Sequence, residues 1–232
     1  MKCSSLVTTV SIVWTFLFSC RTDSLSKYES KGVDTVLSLY GGTCAYSVLW
    51  KSSTDENERY KKFQLEISGS DFVSKSLIDL ETIALGIAYN FYKAIREDKI
   101  DYTHIRVLLN KEGQAHVSEY ELGELRAIDI RFPIVEKIVQ SVYSKQFGEL
   151  TKHVEDSCRK LIEIKNSDSI QSAFSKVVRD GKYQLFAIRI WRDGVNRKAE
   201  FIGGISAPIG GMPLNVELAL DGDLQKASCL DF

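Results

Sequence analysis

Residues 70–95 read SDFVSKSLIDLETIALGIAYNFYKAI. Val73, Leu77, Leu80, Ala84, Ile87, Phe91 and Ile95 follow one another in steps of three and four, flanked by Ile83, Ala88 and Tyr92. That spacing lays a broad apolar stripe along one helix face. Ser70 or Asp71 supplies the side-chain oxygen that accepts from the first free amides. The segment predicts one long amphipathic helix that must lie against an apolar surface. Gly86 falls within the stripe, where glycine costs about 1 kcal/mol relative to alanine. It is read as a point of close packing against a sheet.

Strand signals flank this helix. Upstream, Phe63, Leu65 and Ile67 alternate with Lys62, Gln64 and Glu66, the pattern of a half-buried strand. Cys44, Tyr46, Val48 and Trp50 alternate in the same way within Thr43 to Trp50, and the polar run 51–58 (KSSTDENE) separates the two. Before them, Val33, Val36, Leu37 and Tyr40 have helical spacing and Gly41-Gly42 marks a stop. Downstream, His104 to Leu109 and Ala115 to Leu122 read as paired strands around the turn Lys111-Glu112-Gly113-Gln114. Residues 31–122 are thus expected to run α-β-β-α-β-β, a long helix across an antiparallel sheet.

Residues 123–232 carry helices first and strands after. Glu124 to Arg131 and Pro133 to Ser144 read as two helices, with Pro133 opening the second. Phe147 to Lys165 and Ser169 to Arg179 add helical stretches. Tyr183 to Trp191 is apolar on both faces, which predicts a central strand. Asp193-Gly194 turns into Lys198 to Ile205, and Leu214 to Leu220 adds a third strand. Helices followed by antiparallel strands define an α+β fold with each sheet packed by helices. A boundary near Leu122 to Glu124 divides two α/β halves that can still share one core. In element order the second half resembles the nuclear-transport-factor-2-like cone. That resemblance implies a curved sheet with a pocket, for which Phe174, Tyr183, Phe186, Trp191 and Phe201 are the candidate lining; strand aromatics are otherwise core.

The first twenty residues carry an address. Lys2 is followed by an uncharged run from Leu6 to Phe18, then Leu17-Phe18-Ser19-Cys20. The run is shorter than the roughly 18–20 residues that span a bilayer and is diluted by Thr8, Thr9, Ser11 and Thr15. It has the n-region, h-region and cleavage site of an export signal. The ending resembles the lipobox of bacterial lipoproteins, and this implies removal of residues 1–19 and acylation of Cys20. A diacylglyceryl cysteine carries at least two chains of the palmitate type, enough for a stable anchor, because each buried methylene contributes about 0.8 kcal/mol. The polar stretch 20–30 then reads as a tether. Plain secretion without an anchor is the rival reading.

Charge narrows the partners. Lys2 is the one charged residue among 1–19, so the remaining chain holds 29 of the 30 basic and all 31 acidic side chains, a net charge of about −2. Such a balance is not that of a nucleic-acid binder, which clusters Lys and Arg. Of the five cysteines, Cys3 leaves with the leader and Cys20 takes the lipid, leaving Cys44, Cys158 and Cys229. One disulfide with a spare thiol is possible in an exported chain, and so are three buried thiols; spacing does not assign a pairing.

No catalytic constellation stands out. Glu149 and His153 share a helix face with Glu155, Asp156 and Cys158 nearby, but two ligands do not make a metal site. His104 and His116 lie on neighbouring strands and can face each other across the hairpin. Gly204-Ile205-Ser206-Ala207-Pro208 lacks the second glycine and the following helix of a nucleophile elbow. Gly203-Gly204 and Gly210-Gly211 match no phosphate-binding loop. Asp221-Gly222-Asp223 lacks the remaining calcium ligands and reads as a terminal turn. No metal, cofactor or catalytic residue is assigned. The expected protein is a lipid-anchored envelope module that binds a protein partner or a small apolar ligand. The alternative is an envelope hydrolase assembled from distant segments, with His153 as general base.

Overall fold

The structure, a computed structural model, describes residues 25–51, 60–98, 101–144, 146–155, 158, 183–205, 212–221 and 226–231. The leader with Cys20, most of the polar run 51–58, the helices expected over 159–179, and Phe174, Ser206 to Pro208, Gly222 and Asp223 lie outside those residues.

The protein has an α+β fold with two four-stranded sheets. Helix α1 (Lys27–Tyr40) begins before the stripe from Val33. Ser26 Oγ accepts from Glu29 N at 3.1 Å and Glu29 Oε2 accepts from Ser26 N at 2.7 Å. This capping box draws residues 26–30, expected in the tether, into the first helical turn.

Strands β1 (Thr43–Lys51), β2 (Tyr60–Ser68), β3 (His104–Lys111) and β4 (Gln114–Glu121) form the first sheet in the order β1-β2-β3-β4. β1 pairs antiparallel with β2, and β3 with β4, the latter through a two-residue turn with positive φ at Glu112 (54°) and Gly113 (79°). Positive φ at both central residues is the type I′ signature. β2 and β3 run parallel, which corrects the expectation of a purely antiparallel sheet. The chain crosses between them through helices, and such a crossover brings the second strand back in the same direction.

That crossover holds two helices where one was predicted: α2 (Asp71–Lys75) and α3 (Leu80–Ile95). Asp79 Oδ1 accepts from Thr82 N at 2.8 Å and starts a new helix, while Ser76 Oγ accepts from Ile78 N at 3.1 Å in the break. Leu77, counted in the stripe, is fully exposed there. α3 itself is buried on nearly every side, because the first sheet, α1 and the second sheet all pack on it. α1 crosses at Gly32, where a Cβ would stand 2.6 Å from the Phe91 ring, and Phe91 stacks on Phe63 at 4.5 Å.

Helix α4 (Leu122–Tyr143) runs without interruption through Pro133, where two helices were expected. Proline forfeits one backbone bond, but buried Phe132, Ile134 and Val135 fix the helix on both sides of it. After the short helix α5 (Phe147–Leu150) and a 3₁₀ turn (Thr151–His153), the second sheet is an antiparallel meander. It comprises β5 (Tyr183–Asp193), β6 (Asn196–Ile205), β7 (Met212–Ala219) and β8 (Cys229–Asp231), the last not anticipated from sequence.

β5 is an edge strand, not the central one. A bulge between Leu185 and Ala187 displaces Phe186, and side chains instead of a strand take its carbonyls. Tyr40 OH donates to Phe186 O at 2.8 Å, and Asn90 Nδ2 donates to Leu185 O at 3.0 Å. The two-sided apolar pattern of β5 reflects α3 packed against this bulge. Phe132 of α4 meets Phe201 of β6 at 5.9 Å, so buried side chains from Val33 to Leu230 form one continuous cluster.

Candidate functional site

Among the described residues, the aromatics expected to line a pocket in the second sheet do not line the cleft described below. Phe201 is fully buried, Phe186 packs 5.5 Å from Phe72, and the Tyr183 ring lies over Gly203, where a Cβ would stand 2.4 Å from it. Trp191 is half-buried and Phe174 lies outside the described residues. Of the lining expected from the cone, Phe201 is core, and Tyr183 and Phe186 pack against neighbouring elements.

A cleft of about 290 Å³ opens elsewhere, at the start of α3 between β4, α4 and β5. Its lining includes Asp79, Glu81, Tyr120, Glu124 and Arg189. The strand pleat explains the β4 contribution: His116, Ser118 and Tyr120 share a face with Leu109, Val107 and Ile105 of β3, and that face looks onto α3. Glu81 Oε1 accepts from Tyr120 OH at 2.7 Å, and Glu81 Oε2 accepts from Ser118 Oγ at 2.5 Å. His116 Nε2 lies 3.1 Å from the same Oε2 and 2.9 Å from Ser118 Oγ.

Serine, histidine and glutamate therefore meet, but not as a relay. A relay sets hydroxyl and carboxylate on opposite imidazole nitrogens; here both approach Nε2, and Ser118 is only 5% exposed. Asp79 and Arg189 are also engaged. Asp79 caps α3 through the amide and hydroxyl of Thr82 and faces Arg189 at 3.8 Å, while Arg189 pairs with Glu200 at 3.1 Å. Against the pull of burial, the Thr82 bonds and Arg189 hold Asp79 below the usual carboxylate range. Burial, with Glu121 and Glu81 nearby, raises Glu124 above it despite Arg197. The cleft joins the two sheets through polar groups bonded chiefly to one another.

The remaining candidates are dispersed. His104 and His116 stand on opposite faces of the first sheet, since His104 is opposite Glu121 and His116 opposite Leu109; they do not face each other. His153 is outside the cleft lining, and burial and Lys137 lower its pKa. Its expected partner Glu149 pairs with Lys152 at 2.6 Å. Among the described residues no group of three or more His, Cys, Asp or Glu is placed to hold a metal ion. Asp221 clasps Arg197, accepting from Nη2 at 2.8 Å and from the backbone amide at 2.9 Å.

Those bonds hold the Asp221 carboxyl at about 2. A carboxyl depressed in the folded state stabilises above its unfolded pKa and loses that contribution as pH falls through the folded value. Wild-type protein is therefore expected to lose more stability than Asp221→Asn between about pH 4 and pH 2, measured by urea unfolding across that window. Equal losses would show that the clasp carries no pH-dependent stability.

Among the described residues, β1 presents an apolar stripe to solvent. It is an edge strand, and no strand among the described residues pairs with its outer side. Tyr46, Val48 and Trp50 share a face with Leu65, Phe63 and Lys61 of β2, yet they are 47%, 43% and 75% exposed. Residues 43–50 carry no charge. Natural edge strands are commonly protected by lysine, proline, a bulge or a covering element; β1 has Lys51 alone, at its end. Sequence reasoning read the stripe but could not see its exposure, because exposure depends on the position of β1 in the sheet order.

No protein-family model matches the chain, and no similar curated protein or solved structure was found.

Proposed function

We propose that this chain is a lipid-anchored cell-envelope protein whose folded part is a non-catalytic interaction module, assembling with a second copy through β1. The observation that carries the reading is the uncharged run 43–50, with exposed Tyr46, Val48 and Trp50, on an edge to which no described strand pairs. The strand TCAYSVLWK is complementary to itself about Ser47. In an antiparallel pair centred there, Cys44 meets Trp50, Ala45 meets Leu49 and Tyr46 meets Val48. Small faces large at the first two positions, and no like charges are opposed. Such a two-fold contact is isologous and closed, and it would join two four-stranded sheets into one.

The anchor supports the same reading. Ser26 caps α1 six residues after Cys20, so lipid and fold are separated by at most about 20 Å of chain. Two copies held that close to one membrane share a high effective concentration, which compensates for an interface of modest size.

Two measurements on the full-length chain, expressed in a bacterium that processes lipoproteins, test this. The intact mass should show loss of residues 1–19 plus acyl chains, both absent from Cys20→Ser; an unmodified N terminus beginning elsewhere refutes the anchor. Ser47→Cys should yield an oxidised dimer in membranes, whereas Val195→Cys, exposed in the β5–β6 turn, should not. The Ser47→Cys dimer should disappear when Val48→Lys is added. No adduct, or an adduct to a protein of another mass, rejects self-pairing.

A further inference from the structure

The residues leading into the last strand run beside the segment after the 3₁₀ turn. Glu155 N donates to Ala227 O at 2.8 Å, Ala227 N donates to His153 O at 2.8 Å, and Val154 forms a parallel bridge with Ala227. These bonds fix the position of Cys158. Its backbone N donates to Glu155 O at 3.0 Å, and its Sγ accepts from Leu230 N at 3.4 Å. Cys229 is the residue before that amide, on β8, where register places it opposite Glu217 of β7. Cys158 Sγ and Cys229 Sγ thus both meet the backbone of Leu230, the one at its amide and the other at its carbonyl at 3.7 Å, which makes the two cysteines neighbours. Cys158 is 2% exposed and Cys229 is partly buried, so one sulfur is enclosed and its neighbour can be approached from solvent.

We infer that Cys158 and Cys229 are a disulfide-forming pair, which closes when the protein meets a disulfide oxidant such as oxidised glutathione or a thiol–disulfide oxidoreductase. The accessible Cys229 thiolate attacks the oxidant's disulfide, forming a mixed disulfide and releasing one thiolate. The Cys158 thiolate then attacks the Cys229 sulfur and releases the second. One sulfur–sulfur bond is made and one broken, two electrons pass to the oxidant, and the two cysteine protons end on the leaving thiolates. Burial and the adjoining Cys158 push the Cys229 thiol up to about 11. Little thiolate is then present near neutral pH, so uncatalysed closure is slow.

The structural consequence is a staple at a weak point. β8 has only three residues and is paired on one side by β7. A bridge from Cys229 to Cys158 ties it to the segment that follows α5 and closes a long loop, the situation in which a cross-link removes most freedom from the unfolded chain. Cys44, on β1 in the other sheet, is left as a free thiol. Spacing alone offered three possible pairings among Cys44, Cys158 and Cys229; the register of β7 with β8 and the Val154–Ala227 bridge select one.

The test uses the full chain in two settings. In the first, purified protein is equilibrated with glutathione mixtures, denatured, alkylated with N-ethylmaleimide and mapped. The expected result is a linked peptide containing Cys158 and Cys229, loss of two alkylations relative to the reduced protein, and an unchanged pattern in Cys44→Ser. Oxidation should raise the melting temperature by roughly 8 °C, a rise absent in Cys229→Ala. Alkylation of both Cys158 and Cys229 at every ratio, or a linkage through Cys44, overturns the pair. In the second setting the same mapping is applied to protein taken from cells with alkylation at lysis. A pair that closes in glutathione but is open in the cell leaves the pairing standing and counts against export to an oxidising compartment.

Discussion

Gly86→Val is expected to destabilise the fold by about 3 kcal/mol, with a fall in melting temperature of roughly 6–12 °C. A Cβ at position 86 would lie 2.7 Å from Ala187 Cα and 2.8 Å from the Phe186 carbonyl oxygen. Both are backbone atoms at the β5 bulge, and neither can swing aside as a side-chain end does. The Tyr40 hydroxyl, 3.0 Å away, is itself bonded to Phe186 O. Relief requires α3 to withdraw from β5, which would open the contact on which the second sheet rests. Gly86→Ala separates packing from propensity. Alanine gains about 1 kcal/mol in an open helix, so an alanine variant more stable than wild type by about that amount, by urea unfolding, would show that the close approach is not tight.

The fate of Gly86 shows what could be read from the chain. Steps of three and four in the stripe, with a glycine inside it, indicated a helix pressed against a sheet, and α3 meets β5 at that glycine. Local alternation likewise located β2, and turn residues located the β3–β4 and β5–β6 hairpins. What failed depended on competition between local signals. Asp79 was one polar residue in a helical pattern until its cap with Thr82 made it a start; Pro133 was a start until the core on both sides made it an interior position. Strand order was illegible, since nothing in the alternation of Cys44, Tyr46, Val48 and Trp50 distinguishes a covered strand from an edge. The cleft was less legible still. Asp79, Tyr120, Glu124 and Arg189 come from separate parts of the chain whose meeting depends on how α3 packs at the β5 bulge, and Cys158 meets Cys229 only through the register of β8.

The second large effect is expected at Asn90. Its Nδ2 donates to Gly86 O at 3.0 Å, to Leu185 O at 3.0 Å and to Tyr40 OH at 3.2 Å, while Tyr40 OH donates onward to Phe186 O. One amide therefore serves the carbonyl at the bulge, a carbonyl of its own helix and the hydroxyl arriving from α1. Removing it takes the side-chain donor from the Leu185 carbonyl, at a cost of about 1–3 kcal/mol for a buried group, while Gly86 O keeps its helical amide. Asn90→Leu should lose about 2–3 kcal/mol in urea unfolding, because leucine keeps the volume and drops the bonds. Asn90→Asp should lose about 3–5 kcal/mol at pH 7, as an uncompensated charge is set against carbonyl oxygens. The two variants differ in pH dependence, which isolates the hydrogen bonds from packing. An aspartate facing acceptors has its folded pKa raised, so its protonated form, able to donate, is favoured in the folded protein. Its deficit should be smallest near pH 4 and grow as pH rises through the unfolded carboxyl range, whereas the leucine deficit should stay flat over that span relative to wild type. If both deficits were flat and equal, Asn90 would act by shape alone, and the joint between α1, α3 and β5 would owe its strength to the contact at Gly86.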